Sequence, residues 1–154
     1  MAAPGFPATA PLEGAENIDA KLAFVITCSG VLDPLARYRM AQGISDRDIL
    51  MCHEAYFGTE SCMREASPPL ILERDEAVDL PPALFFQGAS DPRVPSGTAR
   101  RTKDFYVERG GSAEAIMYPG MGHAIGEWGE KEIADMMTRM MTLVEKVIHA
   151  KRTG

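Results

Sequence analysis

An α/β fold, built on a short parallel sheet of about three strands flanked by helices, is the architecture the sequence predicts. Three observations predict it. Apolar runs of strand length recur as "LAFVITC", "ALFFQG" and "AEAIMYPG", each runs into a glycine within two residues, and each is followed by helix-like text. Strand and helix in alternation imply right-handed crossovers and strands that all point the same way. A chain of 154 residues has room for one domain, and 45% apolar with 25% charged residues is the balance of a globular protein, not a fibrous or disordered one.

Taken in order, residues 1–19, "MAAPGFPATAPLEGAENID", carry three prolines, two glycines and no hydrophobic period, which predicts an irregular lead-in. It has the look of a connecting loop. The body of the domain is expected over 20–150. "LAFVITC" is a continuous apolar run rich in branched residues and predicts a first strand from Leu22, buried on both faces. From Ala36 to about Ala66 the text turns helical: "LARYRMAQG", then "SDRDILMCHEAYFG" with Ser45 and Asp48 in a capping-box relation, then "TESCMREASPP", stopped by Pro68 and Pro69. Residues 36–68 thus read as short helices lying over the sheet.

"ILERDEAVDLPP" predicts an acidic connection, and "ALFFQG" the second strand. Ser96 can cap a helix running to Arg109, where Gly110 and Gly111 supply a left-handed stop. "AEAIMYPG" is the third strand. From Glu130 to about Ala150, Ile133, Met137, Met140, Val144 and Val147 recur at spacings of three and four, predicting a helix with one core face. The neighbouring methionines read as packing groups and not as a soft-metal stripe.

Charge and cysteine content exclude several function classes. A net charge of -6 and a pI near 5.1 repel phosphate backbones, so nucleic acid is not an expected partner. The apolar runs fall far short of the roughly 20 residues that span a bilayer, so no membrane span is expected. Residues 1–15 lack a basic start followed by an apolar stretch, which predicts no secretory leader and a cytoplasmic setting. Cys28, Cys52 and Cys62 are an odd number without close pairing, so they read as small buried apolar residues and not as a disulfide framework. Cys52, His53 and Cys62 lack a defined fourth ligand, and neither metal nor cofactor is expected.

The chemistry-bearing residues are Asp91 in "LFFQGASDPRVP" and His123 in "YPGMGHAI", each just past the end of a strand. In a parallel sheet ligands gather beyond the carboxyl ends of the strands, so adjacent strands can bring both side chains to one place. A neutral imidazole can take a proton from a hydroxyl, while a carboxylate on its other nitrogen holds the tautomer and stabilises the imidazolium. Asp before His is the chain order of hydrolases whose serine comes earlier still, on a strained G-x-S-x-G turn. No Ser or Cys here has glycine at both flanking positions. Ser45, Ser90 and Ser112 have it two before but not two after, and Cys28 has only Gly30 after it. Cys28 and Ser29 end the first strand instead of opening a helix.

"GVLDPLARYRMA", "HEAYFG" followed by a methionine and "SPP", "LPPALFFQGASDPRVP" and "ERGGSAEAIMYPGMGHAI", in this order, resemble the carboxyl-terminal half of α/β-hydrolases of the esterase/lipase group, over about residues 20–150. The resemblance implies a partial α/β-hydrolase fold whose three strands match the family's last three. It implies Asp91 as triad acid and His123 as triad base, and 36–68 as a cap that shapes an acyl or alcohol pocket. The serine elbow, the oxyanion loop and the first five strands have no counterpart here, and Ala124-Ile125 stands where the family often has Gly-Phe.

Two expectations follow. Either the chain is a truncated or split hydrolase that acts on a small-molecule ester once a segment with the nucleophile joins it, or it is a non-catalytic remnant that binds a molecule or protein. In both, the apolar first strand, 22–28, has an open edge that invites an amino-terminal half or a second copy. A flavodoxin-like domain fits poorly, because "CSGVLDPLA" has one glycine and an early proline where a phosphate cradle belongs.

Overall fold

The computed structural model describes residues 21–153, so the lead-in expected over 1–19 lies outside the described residues. The elements are β1 Val25–Cys28, α1 Pro34–Ile44, α2 Arg47–Phe57, α3 Glu60–Glu65, α4 Pro68–Glu73, β2 Ala83–Gly88, α5 Thr98–Glu108, β3 Ala113–Tyr118 and α6 Glu130–Thr153, with one 3₁₀ turn at Ile125–Glu127. The three strands form one parallel sheet in the order β1-β2-β3. Val25 faces Ala83, and Ala83 faces Ala113. This is the α/β architecture that the alternation of apolar runs and helical text requires, and it is that of a partial α/β-hydrolase-like fold.

The central strand explains why "ALFFQG" is apolar without alternation: every residue of β2 is buried. Successive side chains leave on opposite faces. Phe85 packs with Leu72, Ala99 and Tyr106 on one face, and Phe86 with Tyr118, Trp128 and Met136 on the other. A fully buried phenylalanine contributes about 2–3 kcal/mol from removed apolar surface. A third, smaller cluster of Leu35, Met63 and Leu70 holds the helices between β1 and β2 together.

Several boundaries differ from the sequence expectation. β1 begins at Val25, Leu22 is 66% exposed, and all four residues of β1 are only half-buried instead of buried on both faces. The reason is position, since among the described residues β1 pairs with β2 alone. α1 starts at Pro34, capped by Asp33, whose side chain accepts from the Ala36 amide. The cap of α2 is Asp46, not Ser45; Ser45 ends α1 in the left-handed region at φ 57. Pro68 and Pro69 open α4 instead of stopping α3, because a first turn needs no N–H from them. The acidic connection therefore shrinks to 74–82.

α5 is preceded by Gly97 at φ 83 with no side-chain cap, so Ser96 does not cap it, while Gly110 at φ 81 follows as expected. On α6, Met136 is the buried methionine and Met137 is 50% exposed, against the expected stripe. Ile133, Met136, Met140 and Leu143 face the sheet together. Both registers have helical spacing, and packing against Tyr118 and Trp128 accompanies the one that buries Met136. Beside β1, on the α4 and α5 face, lies an apolar cleft of about 590 Å³ whose walls include Leu22, Val25, Leu32, Leu72, Phe85 and Tyr106.

Candidate active site

Asp91 lies in the turn after β2. Pro92 has no N–H, so the next two amides are free to fold back, and Asp91 Oδ1 accepts from Arg93 N at 2.8 Å and Val94 N at 3.1 Å. Its other oxygen, Oδ2, lies 2.9 Å from His123 Nδ1. The Asp91 side chain is 1% exposed and that of His123 36%. Three N–H donors converge on this carboxylate, and its contact with the ring selects the tautomer with the proton on Nδ1. The lone pair on Nε2 is left for chemistry.

The two loops meet along a backbone seam. Ala89 N donates to Tyr118 O at 2.9 Å and Ser90 N to Met121 O at 3.0 Å. Gly88 is required there, because a Cβ would overlap the carbonyls of Met121 and Gly122. Gly120, at φ 74, turns the chain out of β3 toward His123. From the helices before β2, Arg37 Nε donates to Arg93 O at 2.7 Å, tying α1 to the Asp91 turn. Burial and the nearby Arg93 guanidinium lower the Arg37 pKa, opposed by Asp46 and Asp91.

The thiols and hydroxyls upstream are poorly suited to nucleophilic attack. Cys28 Sγ lies 3.8 Å from Met136 Sδ, and burial pushes its pKa up, away from the thiolate. Ser29 ends β1 in the left-handed region at φ 50, with its buried hydroxyl unpaired among the described residues. Cys52 is exposed and Cys28 and Cys62 are half-buried, so the expectation of three buried cysteines does not hold. They sit on an edge strand and on short helices with much surface. His53 is buried with Nδ1 3.0 Å from Ile49 O. Among the described residues no three His, Cys, Asp or Glu side chains are placed to hold one metal ion, and no helix is long and apolar enough to cross a membrane.

One residue with an equally developed environment escaped the sequence reading. Asp33, 3% exposed, accepts from Ala36 N at 2.9 Å and Ser67 Oγ at 3.0 Å, and faces Arg101 Nη1 at 3.4 Å. The available signal was an Asp-Pro pair past a strand, the same as at Asp91.

No protein-family model and no curated protein matches the sequence. Among solved structures, the chain is similar to esterase B from Lactobacillus Rhamnosis (HN001), with a TM-score of 0.56 and 14% identity over 86% of this chain and 44% of that one. The chain thus spans less than half the length of that esterase. At this identity the likeness is one of fold, and the chain has a distantly hydrolase-like α/β fold.

Proposed function

We propose that the chain supplies the acid and the base of an acyl-ester hydrolase of the serine carboxylesterase or lipase kind, its nucleophile carried by a segment that joins the sheet at the free edge of β1. The observation that carries this reading is the 2.9 Å contact between His123 Nδ1 and an Asp91 carboxylate already fixed by two backbone amides. The likeness to an esterase fold supports the reaction class. His123 Nε2 takes the proton of the attacking hydroxyl and returns it to the leaving alcohol. Asp91 holds the ring and stabilises the imidazolium without itself being protonated. The substrate is a small-molecule ester, and no cofactor takes part. The three free cysteines suit a reducing, cytoplasmic setting.

The test is hydrolysis of p-nitrophenyl acetate and butyrate by the chain alone and after it is joined to a polypeptide carrying G-x-S-x-G on a strand-turn-helix. The expected result is background hydrolysis alone and turnover in the joined protein that depends on His123. Absence of turnover in every pairing overturns the reading.

A second reading, a non-catalytic binding domain, is favoured by the 590 Å³ apolar cleft, whose walls include neither Asp91 nor His123. Its size is that of a small-molecule site. It predicts that dodecanoate binds the chain, and that Leu72→Trp, which fills the cleft, weakens binding at least tenfold as measured by calorimetry. Equal binding by that variant counts against it.

A further inference from the structure

The loop that carries His123 is closed from behind by the one tryptophan of the chain. Trp128 follows the 3₁₀ turn Ile125–Glu127 and is 5% exposed. Its Nε1–H donates to the carbonyl of Gly122, the residue before His123, at 3.0 Å. The indole packs on Tyr118 with ring centroids 5.0 Å apart, and Tyr118 stacks on Phe86 at 6.3 Å. Tyr118 is anchored in turn, its hydroxyl donating to Asp135 Oδ2 at 2.8 Å, an oxygen that also accepts from Arg139 Nε at 2.8 Å.

The two peptide carbonyls that lead into His123 are therefore held by two different donors. Ser90 N, in the Asp91 loop, takes the Met121 carbonyl, and the Trp128 indole takes that of Gly122. Gly88 lets the two loops approach without a side chain between them. Among the described residues the indole N–H is the side-chain donor that holds the Gly122 carbonyl, and an indole can only donate. That polarity matches a carbonyl acceptor and excludes a hydroxyl rotor that could turn away.

We propose that Trp128 is a positioning residue for His123: its indole N–H, fixed on the Tyr118 and Phe86 stack, pins the Gly122 carbonyl and so keeps the imidazole on Asp91 with its proton on Nδ1. Loss of the N–H frees the Gly122 peptide to rotate, and the ring loses the partner that selects its tautomer. The catalytic meaning of this rests on the acid–base reading of Asp91 and His123, but the geometry does not.

The experiment is ¹⁵N imidazole NMR of the full chain at mildly alkaline pH, with His123 identified among the three histidines by its absence in His123→Gln. In the unaltered chain His123 is mainly the Nδ1–H form. In Trp128→Phe, which keeps an aromatic ring but no donor, the ratio of Nε2–H to Nδ1–H rises about fivefold, the equilibrium shift expected for one net hydrogen bond. The same shift is expected when Trp128 is replaced by β-(3-benzothienyl)alanine, which keeps the two-ring shape and lacks the N–H. An unchanged His123 spectrum in either folded variant overturns the proposal. Exchange of the Trp128 indole hydrogen in the unaltered chain gives a check that needs no variant: at least tenfold protection supports the bond, and free exchange overturns it. The spectra need no substrate. An Nδ1–H signal that responds to Trp128 in a protein that hydrolyses no ester in any pairing would sink the hydrolase reading and leave the positioning role standing.

Discussion

Two Asp-Pro turns follow two neighbouring parallel strands, and their surroundings are nearly the same until the last partner. Asp33 after β1 and Asp91 after β2 are 3% and 1% exposed at the side chain. Each takes backbone amides from its own turn, Ala36 N at Asp33 and Arg93 N and Val94 N at Asp91. At Asp33 the remaining partners are the Ser67 hydroxyl and the Arg101 guanidinium, both of which donate to it. At Asp91 the remaining partner is the imidazole of His123. The turn prepares a desolvated carboxylate in both places. Whether that carboxylate ties helices together or holds an imidazole is decided by partners far away in sequence.

The comparison can be broken most sharply through activity. In the protein joined to a nucleophile-bearing segment, Asp91→Asn and His123→Ala are each expected to lower kcat by about 10⁴-fold, because Asn leaves the wrong tautomer and Ala leaves no base. Asp33→Asn in the same protein should leave kcat within about threefold if its role is structural, as read by p-nitrophenyl butyrate hydrolysis at saturating substrate.

Stability should show the opposite ranking. Asp33→Ala removes the cap of α1 and the acceptor for Ser67 and Arg101, and is expected to cost about 2–3 kcal/mol in urea unfolding. Next in size, Arg101→Met should cost about 1–2 kcal/mol, less than for a fully enclosed pair because the guanidinium is 45% exposed. His123→Ala should cost under about 1 kcal/mol, since Asp91 keeps two amide donors. A larger loss from His123→Ala than from Arg101→Met would reverse the assignment of the two turns.

The smallest effect concerns a histidine in neither turn. Burial between Tyr38 and Phe57 lowers the pKa of His53 below its ordinary value of 6.5, with a smaller push in the same direction from Arg37 and an opposing one from the Ile49 carbonyl. The unfolded chain thus binds the proton more readily than the folded one. Stability from this group is complete above about pH 6.5 and is lost as pH falls through the lowered folded value. His53→Phe should flatten the stability curve between about pH 7 and 5, and an unchanged slope would assign the acid sensitivity to other groups.

The fold was legible where residues faced one environment. β2 reads correctly to the residue because it is enclosed on both faces, and β3 reads correctly at its start but stops at Tyr118, two residues before the end of "AEAIMYPG", because Pro119 has no N–H to continue the ladder. β1 was overextended because the apolar text of Leu22 to Phe24 looks the same whether or not it is paired. Ser45 and Asp46 are both good capping residues, and only the left-handed backbone at Ser45 separates their roles. Pro68 and Pro69 carry opposite meanings at the end of one helix and the start of the next. Asp91 and His123 could be placed at one edge because each follows its strand directly. Asp33 carried the same Asp-Pro signal as Asp91, but its partners, Ser67 on the way into α4 and Arg101 in α5, do not follow strands and gave no sign of converging on it. The Trp128 bond to Gly122 was equally hidden, since a lone tryptophan in a loop has no periodicity to betray its direction.

The unequal register distances of the sheet set an order of assembly. Val25 must find Ala83 across four helices, whereas Ala83 finds Ala113 across one. Chain closure costs more entropy for the longer excursion, so β2, α5 and β3 associate early and β1 docks late. Asp91, His123, Gly88 and Trp128 all belong to the early unit, while Asp33 and Arg37 arrive with the late one. The contact between Asp91 and His123 therefore forms before the helices that border it. Among the described residues strand β1 is paired on one side, so it is expected to lose hydrogen-exchange protection before β2 and β3.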